Sequence, residues 1–157
     1  FIMTASSISI SFIADLRLLI IVLSIFSGIS VIIKSNLSDD MCPPGYYNDI
    51  SIINKANNEL NKIALDLKKK HIKLIVLIAP DKYDFYYNDI LNSPFSEPIF
   101  FNALDSLPKD YLYFNSKKLL TQYKDSNKDL YFFDDSHWSP LASKIIAEEI
   151  HNTILRK

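Results

Sequence analysis

The sequence predicts an α/β domain in which helices cover a parallel sheet in three layers. Two observations predict this class. Residues 72–79 form an unbroken apolar run that is typical of a strand buried on both faces. Helical and strand-like patterns then alternate along the chain on either side of that run. The chain has 157 residues, 48% of them hydrophobic and 22% charged, so it has room for one domain with a real core.

The N-terminal part differs from the rest because residues 16–33 are almost continuously apolar. Eighteen such residues reach the short end of the range that spans a bilayer, which predicts a transmembrane anchor. Arg17 and Lys34 flank the run with one charge each and leave its orientation open. A buried strand-turn-strand or the core of a signal peptide is the alternative. Since the first residue is Phe, either Met3 is the start or the chain is cut from something longer.

Three segments follow from this organisation. Residues 1–34 hold the predicted anchor, residues 35–48 are a linker with a Pro-Pro-Gly turn signal, and residues 49–157 form the α/β domain. The strands predicted within that domain lie over 72–79, 111–114 and 130–133. The predicted helices are one over 50–71, a short one over 98–107, one that Ser116 caps and that runs through Tyr123, and a last one with Ser139 as its cap and Pro140 in its first turn. Three strands are few for such a sheet, so we expect the domain to be partial.

Composition excludes several function classes. The net charge of −1 gives no footing for nucleic-acid binding. With two glycines in the chain, Gly-rich phosphate loops are absent. Cys42 is the only cysteine, which makes neither an internal disulfide nor a zinc cluster. We therefore expect no cofactor and no metal.

The segment with the strongest chemical signal runs from Tyr131 to Pro140. His137 follows Asp134 and Asp135 at the end of an aromatic run and before a helix. A carboxylate can fix the tautomer of an imidazole and stabilise its protonated form, which suits His137 to general-base catalysis. Spacing alone leaves open which aspartate is the partner. It also leaves open a surface turn with a helix-capping histidine, or a metal site with an unfinished ligand set.

A second candidate segment lies where the strand over 72–79 ends. Asp81 and Lys82 follow directly after Pro80. Ligands of open α/β sheets bind at the carboxyl ends of the strands, so both side chains are candidates for substrate contact. A Pro-Asp turn with a surface lysine is the alternative.

Both segments resemble the SGNH hydrolase superfamily, in the branch of alginate O-acetyltransferases and DHHW proteins. The block Asp-Asp-Ser-His-Trp-Ser-Pro at 134–140 is similar to its last catalytic block, and Ile-Ala-Pro-Asp-Lys-Tyr at 78–83 is similar to a strand-end segment of the same branch. The resemblance covers residues 50–155. It implies a flavodoxin-like sheet, with His137 as catalytic base, Asp135 or Asp134 as its partner, and Trp138 beside the substrate.

The resemblance also implies a function and a location. The implied activity is transfer or hydrolysis of acyl esters on a cell-envelope polysaccharide, by a membrane-anchored domain on the periplasmic or extracellular side. The resemblance also allows for a membrane protein that passes the acyl group to this domain. The G-D-S nucleophile block of the superfamily is not recognisable here. The alternative is therefore a non-catalytic, anchored glycan-binding or assembly protein derived from the same fold.

Overall fold

The computed structural model of the protein describes residues 2–5, 8–13, 18–24, 49–93 and 96–155. Its strands are β1 (Ile2–Ala5), β2 (Ile8–Ile13), β3 (Leu18–Ser24), β4 (Lys73–Ala79) and β5 (Leu112–Phe114). Its helices are α1 (Ile50–Lys69), α2 (Lys82–Tyr86), α3 (Phe100–Ser106), α4 (Ser116–Thr121) and α5 (Pro140–Leu155), with a 3₁₀ turn at Tyr87–Asp89. The predicted linker at 35–48 lies outside the described residues.

The five strands form one sheet in the order β1-β2-β3-β4-β5. β1, β2 and β3 pair antiparallel, whereas β3, β4 and β5 run parallel. β4 therefore has a parallel neighbour on each side, which confirms the prediction that the apolar run is a central strand of a parallel sheet. β5 confirms the strand predicted at 111–114.

The N-terminal apolar run differs from its prediction. Leu18–Ser24 is a strand, and all seven of its residues pair with β4, from Leu18 opposite Lys73 to Ser24 opposite Ala79. The described part of the predicted spanning helix, Leu18–Ser24, is therefore a strand and not a helix. An apolar run satisfies its backbone hydrogen bonds equally well in a sheet, as in the strand-turn-strand alternative. The rest of that run lies outside the described residues. No helix in the described ranges is long and apolar enough to cross a membrane.

Helices pack against both faces of β4. Side chains of successive strand residues point to opposite faces. Accordingly, Leu74, Val76 and Ile78 belong to one hydrophobic cluster and Leu77 belongs to another. The α1 cluster consists of Ile53, Ala56, Leu60, Ala64, Leu74, Val76, Ile78, Phe100, Phe101, Leu104 and Tyr111. The α5 cluster consists of Leu77, Phe85, Leu120, Leu130, Tyr131, Ala142, Ile145 and Ile146. The described part of the domain is thus an α/β/α arrangement with β4 in the middle layer.

Helix termini follow the local sequence. Asp49 accepts a hydrogen bond from the Ser51 N–H at 2.8 Å and caps α1. At α5, the Ser139 hydroxyl accepts from the Ala142 N–H at 3.3 Å, which confirms the predicted cap. At α4 the prediction was one residue off, because Asn115 is the cap and the Ser116 hydroxyl instead donates to the Ile78 carbonyl of β4.

The strand predicted at 130–133 is wrong. Tyr131 makes a single antiparallel bridge to Trp138, outside the sheet. The Leu130 carbonyl accepts from the Ser139 N–H at 2.8 Å, and the Phe132 N–H donates to the His137 carbonyl at 3.3 Å. The aromatic run therefore closes a loop instead of extending the sheet, since the Leu130 carbonyl and the Phe132 N–H find their partners at Ser139 and His137.

Candidate active site

The candidate site is carried by the segment 132–137, which we call the site loop. The Tyr131–Trp138 bridge closes its base, and both residues pack with the α5 cluster. All six residues of the loop are exposed. A buried, hydrogen-bonded base thus carries an exposed tip that is open to a substrate.

His137 and Asp135 meet at that tip. The distance from His137 Nδ1 to Asp135 Oδ1 is 2.7 Å, and the same oxygen accepts from the His137 backbone N–H at 3.2 Å. The side-chain hydrogen bond from His137 is the main reason that the pKa of Asp135 lies below its usual range, and the backbone bond from His137 adds to it. Asp135 is therefore a carboxylate at neutral pH, which can only accept, so Nδ1 carries the hydrogen.

In the neutral form of the ring, this pairing leaves the lone pair of Nε2 free. The imidazole side chain is 71% exposed, so Nε2 can reach a hydroxyl group of a substrate or nucleophile. A neutral imidazole held in one tautomer by a carboxylate is suited to take a proton from such a hydroxyl and return it to a leaving group. Of the two open partners, the structure pairs Asp135 with His137. Asp134 is exposed and makes no side-chain hydrogen bond to another described residue.

The second predicted segment lies directly beside the site loop. Lys82 Nζ donates to the carbonyl oxygens of Phe132 and Phe133, at 2.7 Å in each case. The Tyr131 hydroxyl donates to the Pro80 carbonyl at 2.8 Å. The end of β4 and the site loop are therefore brought together, although the loop does not belong to the sheet.

Asp81 has a structural contact in this arrangement. Its Oδ1 accepts from the Asp84 N–H at 2.7 Å and caps α2. Burial raises the pKa of Asp81, against the opposing effect of backbone hydrogen bonds from Asp84 and Tyr83. Trp138, also predicted beside the substrate, is half-buried and packs with the α5 cluster. Substrate contact by Asp81, Lys82 and Trp138 stays a prediction.

A buried ion pair lies between α2 and α4. Asp84 is 4% exposed, and its Oδ1 accepts from Lys117 Nζ at 2.7 Å. Its other oxygen, Oδ2, has no hydrogen-bond partner among the described residues. Burial raises the pKa of Asp84, and the bond from Lys117 opposes that rise.

Sequence reasoning missed this pair and the bond from Tyr131 to Pro80. The members of each are separated by 33 and 51 positions. No local pattern connects such distant residues. The one available signal was the apolar context of Asp84 between three aromatic neighbours, which is unusual for a surface turn.

Comparison with known families shows which family the chain belongs to. A family model described as "SGNH hydrolase-like domain, acetyltransferase AlgX" matches residues 46–157, which is more than two thirds of the chain. The chain belongs to this family. Its SGNH hydrolase-like domain includes β4, the site loop and the His137–Asp135 pair, so the resemblance seen in residues 50–155 is confirmed.

Two further comparisons add no relatives to the AlgX match. Neither the curated proteins nor the solved structures give a match to the chain.

Within the described residues, no three His, Cys, Asp or Glu side chains gather in an arrangement that would hold a metal ion.

Proposed function

We propose that this SGNH hydrolase-like domain takes part in acyl transfer to, or acyl-ester hydrolysis on, a cell-envelope polysaccharide, with His137 as general base. The observation that carries the proposal is the 2.7 Å contact between His137 Nδ1 and Asp135 Oδ1. The two residues belong to an Asp-x-His-Trp block at 135–138, which lies within the span that the acetyltransferase family model matches. Attachment to the membrane outside the cytoplasm is part of the proposal, and it does not rest on a helix at Leu18–Ser24, which is β3.

The chemistry follows from the pair. His137 Nε2 removes the proton of a hydroxyl group as its oxygen attacks the acyl carbonyl carbon. The imidazolium formed is stabilised by the Asp135 carboxylate, and it returns the proton to the departing alkoxide oxygen. In a serine-dependent reaction the same exchange occurs twice, once to form an acyl-enzyme and once to pass the acyl group to a sugar hydroxyl or water.

The site loop supports this chemistry in two ways. The tip is exposed, so a bulky polysaccharide can approach the imidazole. The rings of Phe132 and Phe133 are also exposed, the latter to 98%, and they stand next to the pair in sequence. Apolar rings in this position suit stacking against the faces of sugar rings.

No serine of this chain is assigned as the nucleophile. Ser136 is adjacent to His137, and its hydroxyl lies 3.5 Å from Asp135 Oδ1. Ser139 is committed to capping α5 and to the Asp129 carbonyl. The test is therefore made on the full-length protein.

The experiment measures hydrolysis of an aryl acetate and release of acetate from an acetylated polysaccharide, for the wild type and for His137→Ala. The expected result is a loss of about 10²–10⁴-fold in the variant, the usual contribution of a general base. Asp134→Asn serves as the matched control, because this neighbouring carboxylate does not contact His137.

Equal activity of the wild type and His137→Ala would overturn the assignment. The alternative function, a non-catalytic glycan-binding protein, predicts a different result. In that case the wild type has no esterase activity, and both proteins retain equal affinity for the polysaccharide in a binding assay.

A further inference from the structure

Lys82 occupies a special place between the central strand and the site loop. It is the first residue of α2, three positions after β4 ends, and the cap from Asp81 fixes the start of that helix. The Lys82 backbone thus follows closely on the buried strand β4, while its side chain reaches the exposed site loop.

The contact at the far end is specific. Lys82 Nζ donates to two successive carbonyl oxygens, those of Phe132 and Phe133, both at 2.7 Å. The ammonium also lies 5.9 Å from the centre of the Phe133 ring. Hydrogen bonds from a charged donor are roughly twice as strong as neutral ones. Two of the three ammonium hydrogens are therefore committed to the loop backbone.

Neither of these two carbonyls accepts a backbone hydrogen bond from a described residue. The Leu130 carbonyl accepts from Ser139 and the Phe132 N–H donates to His137, so the base of the loop is closed by its own backbone. Phe132 and Phe133 stand between that base and Asp135. Whatever holds their carbonyls fixes the direction in which the chain enters the Asp135-Ser136-His137 turn.

We propose that Lys82 is a positioning residue that holds the site loop in the shape that brings Asp135 onto His137. It acts through the backbone of Phe132 and Phe133 and does not touch the pair. The catalytic role of the pair rests on the proposed function. The positioning by Lys82 concerns only the geometry of the loop, and it is tested without measuring activity.

The primary test replaces Lys82 by Met, which keeps the length and apolar stem of the side chain and removes its donors. Carbon-13 NMR then follows the titration of the Asp135 carboxyl group. In the wild type the bond from His137 lowers this pKa. We expect it to rise toward the ordinary value in Lys82→Met, because the loosened loop no longer holds the two side chains together.

Two observations separate the loosening of the loop from a direct effect of the Lys82 charge on the pKa of Asp135. Lys82 itself is not among the groups that lower the pKa of Asp135. In addition, the rise should persist at about 1 M salt, where the Debye length is about 3 Å and a through-space effect is screened. Lys82→Arg, which retains charge and donors, should restore much of the wild-type titration.

A second measurement is hydrogen exchange at the Phe132 amide, which donates to the His137 carbonyl across the loop base. We expect exchange at least about tenfold faster in Lys82→Met, the factor that corresponds to losing one charge-assisted hydrogen bond. Lys69→Met is the matched control. Lys69 pairs with Asp66 at the end of α1, at the opposite end of β4, and its replacement should leave the loop unchanged.

The outcomes are distinct. An unchanged Asp135 titration in folded Lys82→Met overturns the positioning role. If that variant does not fold, Lys82→Gln, whose shorter side chain cannot span both carbonyls, is measured in the same way; if neither folds, Lys82 is a residue of the core fold and the proposal is wrong. A changed titration together with no effect of His137→Ala on turnover would leave positioning intact and remove the proposed function.

Discussion

β4 and the site loop are adjacent in space and are held in opposite ways. In β4 the five residues from Leu74 to Ile78 are each at most 4% exposed, and the strand has parallel neighbours on both edges. In the site loop all six residues are exposed. The loop is held by its own base and by a few polar contacts from the end of β4.

This difference separates stability from chemistry. Burying apolar area contributes about 25 cal/mol per Å², spread over many contacts, so β4 and its two clusters supply stability. A few hydrogen bonds contribute little net stability, yet they determine where a side chain points. We therefore expect changes in β4 to unfold the domain and changes at the loop tip to leave the fold intact.

The largest effect is expected for Val76→Asp, at a residue that is 0% exposed. An unpaired carboxylate there costs several kcal/mol, against a typical total stability of about 5–15 kcal/mol. The variant should lack a cooperative thermal transition in circular dichroism. Lys73→Asp, at the exposed start of the same strand, is the control and should unfold like the wild type. A wild-type transition in Val76→Asp would show that β4 is not the core strand.

The next effect concerns the Asp84–Lys117 ion pair between α2 and α4. Lys117→Met leaves the Asp84 carboxylate buried without its partner, and we expect a loss of about 3 kcal/mol in urea denaturation. Asp84→Asn combined with Lys117→Met should recover much of that loss, because no buried charge then remains. A double variant as unstable as Lys117→Met would mean that packing of the lysine stem, and not the charge, is what matters.

The same pair predicts a pH dependence. Burial raises the pKa of Asp84 in the folded protein, so the folded state holds this proton more tightly than the unfolded state. The corresponding stability is fully present below the ordinary aspartate pKa and is lost as pH rises through the raised value. The free energy of unfolding of the wild type minus that of Asp84→Asn should therefore fall across this window. A difference that is flat or rises with pH would contradict it.

A smaller effect is expected for Tyr131→Phe, which removes the hydroxyl that donates to the Pro80 carbonyl. Loss of one buried hydrogen bond should cost about 1 kcal/mol in the free energy of unfolding. Tyr123→Phe is the control, because the Tyr123 hydroxyl makes no hydrogen bond within the described ranges. Equal stability of the two variants would mean that the Tyr131 ring, and not its hydroxyl, anchors the loop base.

The smallest effect is expected for His137→Ala. Its side chain is largely exposed, and exposed substitutions usually change stability by less than about 0.5 kcal/mol. Thermal unfolding of the variant should therefore match that of the wild type. A clear loss of stability would show that the loop tip contributes to the stability of the domain, as β4 does.

Much of the fold followed from the sequence alone. Periodicity and apolar runs predicted α1, β4, β5, α3 and α5 to within a few residues, and the Ser-Pro start of α5 predicted its cap. The aspartates before His137 predicted a carboxylate–imidazole contact. These features depend on neighbours within a few positions, since helical spacing, strand burial and caps are local properties of the chain.

Tertiary structure decided the rest. An apolar run such as Leu18–Ser24 suits a membrane helix and a buried strand equally, and only β4 beside it makes it a strand. The aromatic run at 131–133 suits a strand, yet the carbonyls of Phe132 and Phe133 accept hydrogen bonds from Lys82, 50 and 51 positions away. Which aspartate pairs with His137 depends on the turn that this loop adopts. Such choices depend on partners distant in sequence, because a backbone or charged group is stabilised by whichever donor the fold places next to it.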